Sequence, residues 1–333
     1  MMNHPFERKS MNWVRGRETD PRYGSPPEER GVDLLLRRGL VVLDKPRGPT
    51  SHQVASWVKD ILGIDKAGHH GTLDPNTTGV LPIALGNSVR LLDITLSEGK
   101  EYAALMHLHS DVASGPVGGV LKDFQGEIYQ MVPVRSAVKR ELRTRRIHYM
   151  KLLERDGQDL LLLIGCESGT YIRTLIHDMG EVLGVGAHMA ELRRTRSGRL
   201  EAKDAVTLQE LRDAWTIYRE DGDESLIRKV IRPAEELVTH LRAIVLLDSA
   251  VDAVCHGAPV GIPGLSGIDA DIEKGEIISV MTLKGELVGI AEADMSGMDM
   301  LHRRTGQAAH IMRVAMDPGT YPRAWKTRKA PGQ

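Results

Sequence analysis

The chain has 333 residues, 41% hydrophobic and 27% charged, with a formal net charge of −1, the profile of a soluble globular protein with room for two domains. No apolar run approaches the roughly 18 residues of a membrane span, and the N-terminus MMNHPFERKSMNW lacks a signal-peptide core. Two isolated cysteines, Cys166 and Cys255, exclude a thiolate metal site and suit a reduced, cytoplasmic setting. Residues 1–30 are polar and Pro-rich and read as an arm that needs a surface to lie on, with the C-terminal domain as the candidate surface. Next, GLVVLDKPRGPTSHQVASWVKDILG predicts a strand at Leu40–Leu43, a turn through Lys45 and Pro46, and a helix capped by Thr50 or Ser51. That helix carries an apolar stripe of Val54, Val58 and Ile61 and stops at Gly63. Glu101–His109 alternates as a strand with Tyr102, Ala104, Met106 and Leu108 on one face. Leu160–Cys166 reads as a buried strand that turns at ESGT into a helix from Tyr171 to Leu183. Its stripe is Ile172, Leu175, Ile176, Met179, Val182 and Leu183, and Gly184 is its stop. A boundary falls near Pro233–Leu241. Beyond it the short runs Ala243–Leu247, Ile277–Leu283 and Leu287–Ala291, set between Gly, Asp and Pro, predict a small β-rich domain. A basic tail, 324–333, ends the chain.

The near-zero net charge hides strong local imbalance. Met131–Lys151 holds seven Lys/Arg against one Glu, and Ala190–Lys203 five against two; acids dominate Asp204–Glu236 and Asp269–Asp299. Local patches, and not the chain total, steer a polyanion, so an RNA partner fits as well as a pair of solvated faces.

The stretch KAGHHGTLDPNTTGVLPIAL, Lys66–Leu85, places Asp74 between Leu73 and Pro75. Leu-Asp-Pro is an ordinary turn, but Pro75 restricts the Asp74 backbone and Val80–Leu85 roots the loop in a core. A stiff loop on apolar structure is how a functional acid is held in place. Tyr171 and Arg173 fall in the first turn of a helix, where the positive end of the dipole disfavours a cation. Arg173 therefore wants a specific partner in Asp74, as a fork to a carboxylate, unless it pairs with Glu167 or with solvent. Tyr102 starts a strand and is either core or a stacking surface for a base.

Taken together, LDKPRGPTS, GHHGTLDPNTTGVLPIALG, KEY and GTYIRTLIHDMGEVLGVGAHMAELRRTRSG resemble the TruB-type pseudouridine synthases over most of residues 40–200. PVRSAVKRELRTRRI and DSAVDAVCHGAPVGIPGL…MTLKGELVGIAEA are similar to the archaeal dyskerin-like branch of that family, the second segment resembling a PUA RNA-binding barrel. The resemblance implies an α+β pseudouridine synthase fold, with a mixed, mainly antiparallel central sheet flanked by helices, over residues 31–236, and a PUA β-barrel over 241–323. It implies Asp74 as the catalytic aspartate and a substrate pocket of Tyr102, Tyr171, Arg173 and Leu192. Lys45 and Pro46 form a supporting loop, and His69 matches a histidine that wedges into a tRNA loop in stand-alone relatives. His70 stands where relatives more often carry a small residue.

The implied reaction breaks the N1–C1′ bond of a flipped uridine, rotates the base and joins C5 to C1′. Nothing is oxidised and nothing enters or leaves, so no cofactor and no metal are expected. Whether the aspartate attacks C6 or C1′, or takes a proton from C2′, stays open. The resemblance further implies H/ACA guide RNA, rRNA and tRNA substrates, and three small accessory proteins: a Nop-type zinc ribbon, a Gar-type β-barrel and a kink-turn-binding ribosomal-type protein. RNA contacts are expected from Arg143, Arg145 and Arg146 near the active site and from His256, Lys284 and Arg323 in the PUA region. Two other readings remain at this point: a stand-alone tRNA pseudouridine-55 synthase, and a non-catalytic RNA-binding scaffold. The short basic segment Met131–Ile147, in place of a longer tRNA-gripping insert, favours the guided enzyme. The intact set Asp74, Tyr102, Tyr171 and Arg173 argues against the scaffold.

Overall fold

The computed structural model describes residues 10–92, 99–131 and 141–323. The first nine residues of the expected arm, residues 132–140 of the basic segment and the tail 324–333 lie outside them. The strands of the first half are β1 (Met11–Trp13), β2 (Gly39–Lys45), β3 (Ala67–His69), β4 (Thr78–Leu85), β5 (Lys100–Leu108), β6 (Gly126–Met131), β7 (Leu142–Asp156) and β8 (Asp159–Cys166). Those of the second half are β9 (Ala187–Ser197), β10 (Leu200–Glu201), β11 (Arg232–Pro233), β12 (Ala243–Leu246), β13 (Val260–Gly261), β14 (Leu265–Asp269), β15 (Ile277–Thr282), β16 (Leu287–Ala293) and β17 (Gln307–Val314). The helices used below are α1 (Val32–Arg37), α2 (Ser51–Leu62), α3 (Ser114–Asp123), α4 (Ile172–Val182) and α5 (Leu208–Asp221).

Two compact units share the chain by interleaving: residues 1–40, 85–91 and 231–333 form one, 41–84 and 92–230 the other. The expected boundary after residue 30 falls inside the first unit, and Ile231–Glu236 also belongs there. The physical reason is a buried ion pair. The Arg30 guanidinium, 0% exposed, donates to Glu235 through Nη1 at 2.9 Å and Nη2 at 2.7 Å. Glu235 Oε1 also accepts the Leu287 backbone N–H at 2.9 Å, and Glu286, 3.9 Å from Arg30, accepts the Tyr321 hydroxyl at 2.7 Å. Arg30→Met leaves two buried carboxylates without this cation, and we expect it to cost about 3–5 kcal/mol in urea unfolding. A loss below 1 kcal/mol would mean that the pair is effectively solvated.

In the same unit the sheet order is β1-β14-β12-β15-β16-β17-β13. Strand β1, from the arm, pairs antiparallel with β14, Asn12 opposite Ile268. Arg15 donates to the carbonyls of Ile262 and Leu265 at 2.9 and 2.6 Å, and Asp248 accepts the Thr19 hydroxyl and the Asp20 N–H. The arm thus completes a sheet edge whose N–H and C=O groups would otherwise stand open. The core beneath comprises Ile244, Leu246, Val251, Ile268, Val280, Val288 and Ala291, among others.

In the other unit the strands run β2-β4-β9-β5-β8-β7-β6. Pairing is antiparallel for β5 with β8 and β9, β7 with β8 and β6 with β7; β4 pairs parallel with β9. The sheet is mixed and mainly antiparallel. Strand β5 alternates strictly, its even residues from Tyr102 to Leu108 buried. Helix α2 begins in a capping box, Thr50 with Gln53, and ends on Gly63 in the left-handed region. It packs against β3 and α5. Helix α4 lies on β9 and β5, burying Ile172, Leu175, Ile176 and Met179. Val182, expected on that stripe, is 62% exposed as the last residue of the helix, while Met179 and Gly180 in the same turn are buried.

Candidate active site

Asp74 sits in the loop between β3 and β4, and three groups fix that loop from below. The buried Ser51 hydroxyl accepts the Leu73 N–H at 2.8 Å and donates to the Leu73 carbonyl at 3.0 Å. The buried ammonium of Lys45 donates to the carbonyls of Pro46, Pro75 and Thr77 at 3.0, 3.1 and 3.0 Å. Burial pushes its pKa down and the Asp74 carboxylate pulls it back up. The exposed Pro46 takes part through its carbonyl alone. The Gly48 N–H donates to the Pro75 carbonyl at 2.8 Å. At the foot of the loop Gly79 has φ +102, and a Cβ there would lie 2.1 Å from the Arg194 carbonyl oxygen, so only glycine lets the two strands close.

Arg173 stands in the first turn of α4, and its Nη2 donates to Asp74 Oδ2. The side chains of this pair are 59% and 56% exposed, so the carboxylate is held in direction yet open to an incoming base. Tyr171 is the N-cap of α4. Its main chain is gripped by Gln130 of β6, whose amide accepts the Tyr171 N–H at 3.0 Å and donates to the Tyr171 carbonyl at 3.1 Å. Gln130 is absent from the sequence-level candidates. Its alternation with exposed Tyr129 and Met131 on β6 is the signal that it faces inward.

Tyr102 is 8% exposed, and burial pushes its phenol pKa up, so it stays protonated at neutral pH. It pairs across β5 and β9 with Arg194, as Ala104 does with Leu192, which puts Tyr102, Leu192 and Arg194 on one face. His69 is partly buried, its ring edge-on to His52 at 6.5 Å. His70 is 3% exposed. Its Nδ1 donates to the Leu92 carbonyl at 3.2 Å and its Nε2 accepts from the Lys100 ammonium at 3.2 Å. That arrangement requires a neutral ring, and burial together with the Lys100 charge pushes the pKa down to about 3. The sign follows directly. The unfolded chain binds this proton near the usual 6.5 and the folded chain does not, so His70 costs stability as pH falls from about 6.5 towards 3. His70→Gln should show a smaller fall in Tm than wild type between pH 6.5 and 4.5; parallel curves would mean that His70 is accessible to protons when folded.

Residues 59–119 match the TruB family pseudouridylate synthase N-terminal domain, 173–239 the tRNA pseudouridylate synthase B C-terminal domain, 242–315 the PUA domain and 5–55 the DKCLD domain. The chain is 50% identical over 330 residues to the Methanopyrus kandleri protein named Probable tRNA pseudouridine synthase B, covering 99% of this chain and 97% of that one. The chain belongs to the TruB pseudouridine synthase family. Among solved structures it is similar to a chain in an H/ACA RNP bound to a substrate RNA containing 2′-deoxyuridine. The TM-score there is 0.89 at 45% identity, covering 96% of this chain and 99% of that one. It is likewise similar to a chain in the archaeal box H/ACA sRNP Nop10–Cbf5 complex, with TM-score 0.88 at 46% identity, covering 96% and 100%.

Arg143 and Arg145 pair across from Gln130 and Ile128, on the face of the β6–β7 ribbon that grips Tyr171, and Arg145 lies against Gly169 in the turn before α4. Arg146 pairs with Glu127 and points to the opposite face, so the three expected contacts divide two and one. Lys284, expected to face RNA, has its ammonium committed to backbone carbonyls of the arm: Asp20 at 2.9 Å, Tyr23, and Gly24 at 3.4 Å. A half-buried ammonium spanning three carbonyls is a clamp. His256 and Arg323 gather around Asp252, whose Oδ2 lies 3.5 Å from both, and remain partly open at the surface. Among the described residues no group of three or more His, Cys, Asp or Glu could hold a metal ion, and no helix is long and apolar enough to cross a membrane.

Proposed function

We propose that this chain converts uridine to pseudouridine in RNA as the catalytic subunit of an H/ACA guide ribonucleoprotein, with Asp74 as the catalytic aspartate. The observation that carries the guided reading is the near end-to-end likeness, arm and PUA domain included, to the chain of an H/ACA RNP that holds substrate RNA. In this reading a uridine leaves its stack, its ring enters beside Tyr102 and Tyr171, and the ionised Asp74, aimed by Arg173, begins the isomerisation. Leu192 closes the pocket with apolar surface, and Lys45 and Pro46 keep the loop in place. The wedge role of His69 belongs to the stand-alone reading.

The partners that follow are a guide RNA, ribosomal and transfer RNA substrates, counterparts of Nop10 and Gar1, and a kink-turn-binding protein. His256 and Arg323 are proposed to meet the guide, while Arg143 and Arg145 meet phosphates beside the pocket. The buried free thiols Cys166 and Cys255 suit a cytoplasmic setting. The names of the curated relatives favour a second reading, a tRNA synthase that acts without a guide.

One experiment separates the readings. The chain is assembled with a guide RNA and the accessory proteins, and pseudouridine is mapped in rRNA and tRNA with the guide present, absent or redirected. Modification that follows the guide supports the proposal. Modification of tRNA indifferent to the guide favours the stand-alone enzyme, and RNA binding with no pseudouridine favours a scaffold.

A further inference from the structure

Arg194 is 1% exposed, although a guanidinium is costly to bury and nothing in the pocket chemistry above calls for it. Its contacts explain the placement. Nε donates to the Val80 carbonyl at 2.7 Å and Nη2 to the Gly71 carbonyl at 3.0 Å. Gly71 and Val80 bracket the segment that carries Asp74. Across the β5–β9 pair Arg194 stands directly opposite Tyr102, and both side chains are buried on the same face. The Arg194 backbone lies in register with Gly79 across the parallel β4–β9 pair, at the foot of the same loop. One side chain therefore holds both roots of the Asp74 loop from a position directly across from the tyrosine on the next strand. A guanidinium spreads five N–H donors over three nitrogens and can reach such separated acceptors together, whereas an ammonium places its three donors on a single nitrogen.

We propose that Arg194 is a positioning residue that locks the Tyr102 hydroxyl and the Asp74 loop into one register, an inference that rests on the catalytic reading of Asp74 and Tyr102. Asp74 comes from the loop before β4 and Tyr102 from β5, so their relative placement depends on a tie between that loop and that strand. Misplacement of a reacting group by about 1 Å costs on the order of 100-fold in rate. A strut that served folding alone would lower stability and leave the rate of the folded enzyme intact.

The test is a double-mutant cycle on single-turnover pseudouridine formation, with the guide-assembled complex in excess over RNA so that slow rates remain measurable. The variants are Arg194→Lys, Tyr102→Phe and the double change, with RNA affinity and Tm measured on each. Arg194→Lys is expected to slow turnover by about 10- to 100-fold with RNA affinity within about threefold, and to cost less than about threefold once Tyr102 is Phe. Equal losses in the two backgrounds, or wild-type turnover by Arg194→Lys, overturn the proposal. Should Arg194→Lys not fold, Arg194→Gln enters the same cycle under the same criteria. Asp74→Asn is run alongside. Turnover by Asp74→Asn defeats the catalytic reading itself, whereas an inactive Asp74→Asn beside a normal Arg194→Lys defeats only the role of Arg194.

Discussion

Asp74→Asn should abolish pseudouridine formation, by more than about 1,000-fold in single turnover, while RNA affinity stays within about threefold. The substitution keeps the shape of the side chain and an oxygen that can still accept from Arg173. What it removes is the negative charge, and with it the capacity to attack carbon or to take a proton. The loop does not depend on that charge, because Ser51, Lys45 and Gly48 hold it through the backbone of Leu73, Pro75 and Thr77. The Arg173–Asp74 pair is more than half exposed, and pairs of that kind contribute about 0–1 kcal/mol. Thermal unfolding of Asp74→Asn should therefore nearly overlay wild type, and the loss can be assigned to chemistry. Turnover within tenfold of wild type would remove Asp74 from the nucleophile or base role. Unchanged turnover together with a changed Tm would point to a merely structural acid.

Much of this site is legible in the residues before any coordinates. The loop that bears Asp74 announces itself through Pro75, whose backbone demand is local, and through the apolar run Val80–Leu85 that follows. Helix α2 is equally plain, since Thr50, Gln53 and Gly63 satisfy its ends by themselves. Strand β5 shows because one of its faces is buried and the other is not. Strand β9 is the opposite case. AHMAELRRTRS does not alternate, and its arginines look like a solvated face. In the fold, Arg193 forms a two-armed pair with Asp44 at 2.9 and 2.8 Å, while Arg194 reaches carbonyls of another loop. Those partners are more than 100 residues away in sequence, so no local pattern could announce them. Ile231–Glu236 shows the same limit. Only the 3-D pairing of Arg30 with Glu235 reveals that residues 231–236, inside the stretch that matches the TruB C-terminal domain, pack in the same compact unit as the arm.

Arg173→Lys should lower single-turnover pseudouridine formation by about 100-fold, with RNA affinity changed by less than about fivefold. Both side chains are cations of similar reach, so the comparison isolates geometry from charge. Arg173 stands in the first turn of α4, where the helix dipole disfavours a cation by about 0.3–1 kcal/mol. Lysine would carry that cost equally, so the dipole cannot account for a difference between them. The guanidinium is planar: while Nη2 engages Asp74 Oδ2, its remaining N–H groups keep fixed directions relative to that bond. An ammonium on a flexible stem pairs with the carboxylate as a point charge and leaves its direction free to wander. The loss should therefore fall on the rate at saturating RNA and not on binding, and Tm should change by no more than an exposed pair is worth. A rate within threefold of wild type would show that charge alone suffices at this position. A rate loss accompanied by a matching loss of RNA affinity would recast Arg173 as a substrate-phosphate contact, with Asp74 aimed by its loop alone.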